Sequence, residues 1–328
     1  MFLHPVYISF FTIMLFSTLL MMSTNTWLIT WLMIEINMLV FIPLMNLKKN
    51  KYQAESALKY FITQVTASII MIVSIMSLTN SNQINTTMLM LALLLKMGVA
   101  PFHQWMPAIA EGLQWETMLI LMIPQKIGPL ILIHQVTLSN LMNTNMFLFI
   151  TLTALIGSVG GLINFSLRKI MIYSSISHSG WMLMSILMSL KLWISYFSIY
   201  SVMLMAIITS FKNLKINNLK QMFFINNKLL KYLLMIMFLS LSGLPPFSGF
   251  LAKYLVILMA GMSGYKLIVI PLITATLISL FFYMRIILMN MFTVNSKIYK
   301  PMITKSSNKK LISINLLGLF SGWFFFLL

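Results

Sequence analysis

Residues 91–105 read LALLLKMGVAPFHQW. This leucine-rich run carries Lys96 with no acidic neighbour, and Gly98 and Pro101 follow within five residues. Burying a cation in such a run is costly, and Pro removes a backbone hydrogen bond that a helix needs. The solvent around Lys96 therefore decides the fold.

That solvent is lipid. The chain of 328 residues is 60% hydrophobic and 8% charged, with a mean hydropathy of +0.94. A water-soluble domain of this length needs far more polar surface. Apolar segments of about 20 residues recur, the length that crosses the hydrocarbon core. Lipid offers the backbone no hydrogen-bond partners, and nothing alternates as barrel strands do. The fold class is all-α and polytopic. Eleven spans are expected near 4–22, 26–45, 57–78, 87–109, 117–138, 146–164, 169–190, 192–211, 230–252, 267–289 and 310–328. Residues 1–328 read as a single polytopic membrane domain, since no gap could hold a soluble one.

Charge fixes the expected orientation. Fifteen of the 22 cations fall in four connections: Lys48, Lys49 and Lys51; Arg168 and Lys169; Lys212, Lys215, Lys220, Lys228 and Lys231; and Lys297, Lys300, Lys305, Lys309 and Lys310. The opposite side has only Lys191 and Lys266. The positive-inside rule then places the N-terminus in the positive compartment and the C-terminus across the membrane. The net charge of +18 is thereby explained without nucleic acid.

Several chemistries lack their residues. Without cysteine there is no thiolate site or iron–sulfur cluster. The four histidines (His4, His103, His134, His178) show no metal-ligand spacing, and no phosphate-binding glycine loop occurs. No cofactor or metal is expected on this chain.

What remains are ionisable groups inside spans. Lys96, Lys126 and Lys253 each sit beside a helix breaker: Gly98 and Pro101, the PQKIGP run 124–129, and GLPPFSGFLAK 243–253. Each costs roughly 2.5–3.5 kcal/mol at the bilayer centre on the insertion scale. Broken helices are tolerated where they line a wet cavity, and freed carbonyls there hold charge and water. A desolvated lysine releases its proton more readily, and an approaching carboxylate restores its hold. Glu35 is the acid placed within a span to do this. Lys59 and Arg285 lie near span ends, close enough to snorkel. His178, in SSISHSGW, is set among hydroxyls as a proton relay or as a packing residue. The plainer role for any of these cations is a tether to a carbonyl or a lipid phosphate.

The stretches WLMIEINMLVFIPLM (31–45), LLLKMGVAPFHQWMP (93–107), SLRKIMIYSSISHSGWM (166–182) and LSLSGLPPFSGFLAKY (239–254) carry a resemblance. The chain resembles the subunit-2 family of mitochondrial NADH:ubiquinone oxidoreductase (respiratory complex I), an antiporter-like component of its membrane arm. The likeness runs from about residue 26 to 290. It implies a core subunit of a proton-translocating NADH:ubiquinone reductase, with no redox catalysis of its own. FMN, iron–sulfur clusters and ubiquinone would be used in other subunits. The implied partners are the adjacent subunits 4 and 4L, accessory subunits and membrane lipids, cardiolipin among them. The implied location is the mitochondrial inner membrane, multi-pass, with the N-terminus on the matrix side and the C-terminus in the intermembrane space. Carried over by motif, Glu35 is a modulating acid, Lys96 the central proton-holding lysine, and Lys126 and Lys253 successive relay sites, with Lys59 and His178 as further relay candidates. The chain departs from the family pattern at Gln104, at Pro124 and at Ala252 and Tyr254 around Lys253.

Overall fold

A computed structural model describes residues 5–24, 26–46, 50–77, 83–137, 143–225, 228–245 and 247–291. The expected span at 310–328, His4, and the cations Lys48, Lys49, Lys297, Lys300, Lys305, Lys309 and Lys310 lie outside the described residues.

Among the described residues the regular structure is helical throughout, with one isolated bridge between Ser166 and Asn218. The chain forms two compact units, Met1–Phe149 and Ile150–Leu328.

The first unit contains α1 (Pro5–Ser23), α2 (Trp27–Met45), α3 (Lys51–Ser77), α4 (Gln83–Met97), α5 (Trp105–Ala110), α6 (Trp115–Met122) and α7 (Pro124–Thr137). Helix α1 packs on α2 and α2 on α3, which also packs on α4 and α5. Helix α7 is the hub, meeting α1, α4 and α6. Gly128 lets α7 approach α1 closely, because a Cβ there would meet the Met21 sulfur.

The second unit holds the rest of α8 (Asn143–Ile163), then α9 (Leu167–Met188), α10 (Leu190–Leu214), a 3₁₀ helix (Leu219–Phe224), α11 (Lys228–Ser242), α12 (Ser248–Met262) and α13 (Lys266–Met291). Helices α10, α12 and α13 all pack against α9. Helix α8 approaches α9 through two glycines. A Cβ on Gly157 would strike the Ser177 backbone, and one on Gly180 would crowd the Ile150 carbonyl and Thr153. Small residues allow such approach where no hydrophobic effect drives helices together.

Seven helical segments among the described residues are long and apolar enough to cross a membrane. At 19 residues, α1 and α2 are each about 28 Å long, close to the hydrocarbon thickness. Buried serines on the helices return their hydroxyls to their own backbone: Ser17, Ser174 and Ser185 donate to the carbonyls of Met14, Met171 and Met182 at 2.8, 2.7 and 2.7 Å. Leu58, Ile62, Ile69 and Val73 on α3 lie exposed, a face suited to lipid tails or a neighbouring chain.

The expected span 230–252 is not one helix. Helix α11 ends at Ser242 and α12 begins at Ser248, running on to Met262. The reason is local. Gly243 takes φ +80 and ends α11, its N–H reaching Ser240 O (3.1 Å) and the Leu244 N–H reaching Leu239 O (3.4 Å). That pair of bonds is a Schellman motif, which a left-handed glycine closes. Cations assigned to connections also fall on helices: Lys51 on α3, Arg168 and Lys169 on α9, Lys212 in the last turn of α10, and Lys228 and Lys231 on α11.

Candidate functional site

Lys96 occupies the last turn of α4. Gly98, at φ +67, ends that helix by the same motif, with Gly98 N to Leu95 O and Val99 N to Leu94 O both 3.0 Å. A cation at this end of a helix meets the partial negative charge of the terminal carbonyls. Two neighbours occupy those carbonyls: the Trp105 indole N–H donates to Leu95 O (3.1 Å), and Gln64 on α3 donates to Lys96 O (3.4 Å). The Lys96 ammonium itself is buried and has no hydrogen-bond partner.

Glu35 lies opposite, on α2. Its Oε1 is buried and without a hydrogen bond. The two groups do not form an ion pair. Glu35 is nonetheless near enough for its charge to act on both Lys96 and Tyr60. Lys96 is buried and Glu35 half-buried, and each presents a sealed polar atom to which the fold gives no hydrogen-bond partner. Each unsatisfied atom costs about 1–3 kcal/mol, so the fold maintains this arrangement against its own stability.

Lys126 is held differently. Ile123 interrupts the chain between α6 and α7, and Pro124 opens α7 where its missing N–H costs nothing. Lys126 falls in the first turn of α7 and is 1% exposed. A helix N-terminus opposes positive charge, so Lys126 and Lys96 sit at ends of opposite polarity. Beside it, Gln125 donates to the Asn37 carboxamide oxygen at 3.0 Å. Asn37 is two residues from Glu35, so this bond ties the α2 backbone carrying the acid to the α7 turn carrying the lysine.

In the second unit, Lys253 extends from α12 back to the end of α11 and donates to Ser242 O at 2.7 Å and Leu241 O at 3.4 Å. It is the tether that a buried cation can form, closing the break at Gly243. A Cβ on Gly243 would meet the Lys253 side chain, so the glycine serves both the turn and the lysine.

Lys59 lies apart from these buried groups. It pairs with Glu55 at 2.6 Å, one turn before it on α3, with both side chains about half exposed at 48% and 55%. The pair lines an open cavity of about 410 Å³ with Tyr52, Ser56, Ala108, Glu111 and Gly112. His178 is buried on α9, its Nδ1 2.8 Å from the Tyr196 hydroxyl of α10. Arg285, expected to snorkel, instead donates to Leu162 O (2.8 Å), Asn164 O (2.7 Å) and Gly161 O (3.2 Å) and so caps α8.

Sequence reasoning missed the neutral partners: Asn37, Gln64, Trp105, Gln125 and Tyr196. Asn37 and Gln64 did leave a signal, as carboxamides inside apolar spans that lipid would not tolerate unpaired. Which groups pair with them depends on helix neighbours far apart in sequence.

Among the described residues, no cluster of three His, Asp or Glu could hold a metal. What the site offers is a set of buried cations at helix breaks and one acid beside the first of them. A desolvated amine is a group that can gain and lose a proton.

Comparison with known proteins places the chain. Residues 24–279 match the family described as NADH:quinone oxidoreductase/Mrp antiporter, TM. The chain belongs to this family of antiporter-like membrane proteins. Its relatives include NADH-ubiquinone oxidoreductase chain 2 of Anopheles gambiae, 42% identical over 94% of this chain and 92% of that protein. The protein of the same name from Hylobates lar is 38% identical over 82% of this chain and 81% of its own length. Among solved structures, a chain of respiratory complex I from Thermus thermophilus superposes with a TM-score of 0.85 at 19% identity, over 98% of this chain and 79% of that one. A chain of the Mrp complex from a Dietzia species does so with a TM-score of 0.77 at 13% identity, over 91% and 71%. At those identities the superpositions speak for the shared fold.

Proposed function

We propose that this chain is a core membrane subunit of the proton-translocating NADH:ubiquinone oxidoreductase, supplying a proton-translocation pathway while electron transfer from NADH to ubiquinone proceeds in other subunits. The observation that carries this reading is the Glu35–Lys96 pair: a buried ammonium without a hydrogen-bond partner beside a broken helix, within reach of the charge of a half-buried acid whose Oε1 is likewise sealed and unbonded. The likeness to chain 2 over 94% of the sequence supports the same assignment.

In this reading Lys96 holds a proton when Glu35 approaches and yields it when Glu35 withdraws. The Schellman-capped end of α4 keeps the lysine beside partial negative charge without fixing it. Lys126 and Lys253 are successive relay sites, with Lys59 and His178 as further ones. The chain, residues 1–328, acts as one polytopic module of eleven spans. It sits in the mitochondrial inner membrane with its N-terminus in the matrix and its C-terminus in the intermembrane space. Subunits 4 and 4L and accessory subunits are its neighbours, with cardiolipin among the surrounding lipids. FMN, iron–sulfur clusters and ubiquinone belong to other subunits.

The test has two stages. Native electrophoresis of mildly solubilised mitochondrial membranes, probed with an antibody to this chain and stained for NADH oxidation, should show it in the large NADH-oxidising band. Migration as a small, NADH-inactive particle would instead favour a stand-alone cation/proton antiporter. Lys96→Met should then lower coupled NADH:ubiquinone turnover by at least about tenfold while the complex assembles. Full coupled turnover in that variant would leave a purely structural subunit.

A further inference from the structure

The second unit holds a buried group of phenols that the pathway above does not use. His178 on α9 has its Nδ1 2.8 Å from the hydroxyl of Tyr196 on α10. One turn along α10, Tyr200 packs its ring 5.0 Å from the same imidazole. All three are buried, 4%, 2% and 1% exposed. Tyr283 on α13, equally buried, lies within electrostatic range of both tyrosines. Besides these phenols, the buried titratable group on the helices packed against α9 is Lys253 of α12, which donates to the Ser242 carbonyl. Helix α8 has none.

A phenol at this distance from a ring nitrogen has a particular consequence. The Tyr196 O–H can donate to Nδ1 of a neutral imidazole, and the same oxygen can accept from Nδ1–H once the ring is protonated. One hydroxyl rotation serves both states, so the bond survives a change of charge. An aliphatic neighbour would satisfy neither state, and a carboxylate would favour the charged one alone. Tyr200, four residues on along the same face of α10, lies against the imidazole with the two rings inclined at 42°, and so limits the room in which the ring could turn.

We infer that Tyr196 is a positioning residue for His178, holding its ring and its tautomer in both protonation states so that the histidine can relay protons. This rests on the relay role given to His178 above.

The experiment uses the assembled complex carrying Tyr196→Phe, Tyr196→Gln, His178→Asn and the Phe–Asn double variant. It reads coupled turnover against pH and the KM for NADH and ubiquinone. Tyr196→Phe should lower turnover about tenfold, change the pH profile and leave both KM values unaltered. Tyr196→Gln keeps a group able to donate or accept and should restore most of the parental profile. The double variant should be no worse than His178→Asn alone. A parental pH profile in Tyr196→Phe, with His178→Asn impaired, would overturn the positioning role and leave the relay standing. Full coupled turnover in His178→Asn would end the relay reading itself, and the inference with it. If Tyr196→Phe does not assemble, Tyr196→Gln decides: a parental profile upholds the inference, and one like that of His178→Asn overturns it. Failure of both to assemble would mark Tyr196 as structural and also overturn it.

Discussion

The Lys253 ammonium donates to the Ser242 carbonyl at 2.7 Å, so a cation carried by α12 closes the C-terminal end of α11. Lys96 stands at a break of the same kind without any such partner. Two lysines that look alike in sequence therefore carry different loads: one joins two helices, and the other is held ready without a bond.

That difference predicts different phenotypes. Lys253→Met leaves carbonyls at a buried helix end without their donor, and a hydrogen bond to a charged group is worth about 1.5–3 kcal/mol. Its complex should fall in abundance as well as in turnover. Lys96→Met removes a buried ammonium that satisfies nothing, so abundance should hold while turnover drops. Densitometry of native gels, with activity normalised to assembled complex, separates the two.

Gly243→Ala should be the more damaging of two glycine changes. At φ +80 an L-residue costs about 1–2 kcal/mol, and its Cβ would also meet the Lys253 side chain. Gly261, near the end of α12, has open space where a Cβ would stand and no left-handed φ. Gly261→Ala should be neutral or stabilising by up to about 1 kcal/mol. Thermal inactivation of the solubilised complex should rank Gly243→Ala below parent and Gly261→Ala at or above it.

Glu35 and Lys96 should behave as one unit. Glu35→Gln removes the charge that acts on Lys96 and should lower coupled turnover severalfold with assembly intact. Added to Lys96→Met it should cost little more, because coupled residues are not additive. A double variant whose loss equals the product of the two single losses would show that the pair acts independently.

Arg285→Ala strips three carbonyls at the end of α8 of their donor. The expected loss is about 2–4 kcal/mol of stability, since part of the guanidinium contact is solvent-screened. It should appear as reduced complex abundance, with turnover per assembled complex unchanged. Arg285→Lys should recover only part, because a single ammonium cannot span the three acceptors that the guanidinium fork reaches.

The ionisable positions were legible in the amino-acid sequence. Lys96, Lys126 and Lys253 declare themselves because a charge in an apolar run is expensive and a Gly or Pro beside it is a local signal. The break at Gly243 was legible as composition, in GLPPFSG, but not as two helices, because an apolar run on both sides reads as one span. Arg285 looked like a snorkelling cation because its acceptors lie more than 120 residues earlier, at the end of α8.

By itself, then, the sequence determined the all-helical membrane class and the three buried lysines beside helix breaks, though it put Lys231, buried on α11, in a loop. Both follow from one-dimensional quantities: the run length of apolar residues and the cost of charge within them. Tertiary structure alone decided who meets whom. It left Lys96 and Glu35 apart, joined Lys253 to Ser242, tied Asn37 to Gln125 and set Tyr196 on His178. Those pairings depend on helix rotation and the close approach that residues such as Gly128, Gly157 and Gly180 permit. A shift of one residue along a helix turns a side chain by about 100°, and no local pattern in the sequence fixes that angle.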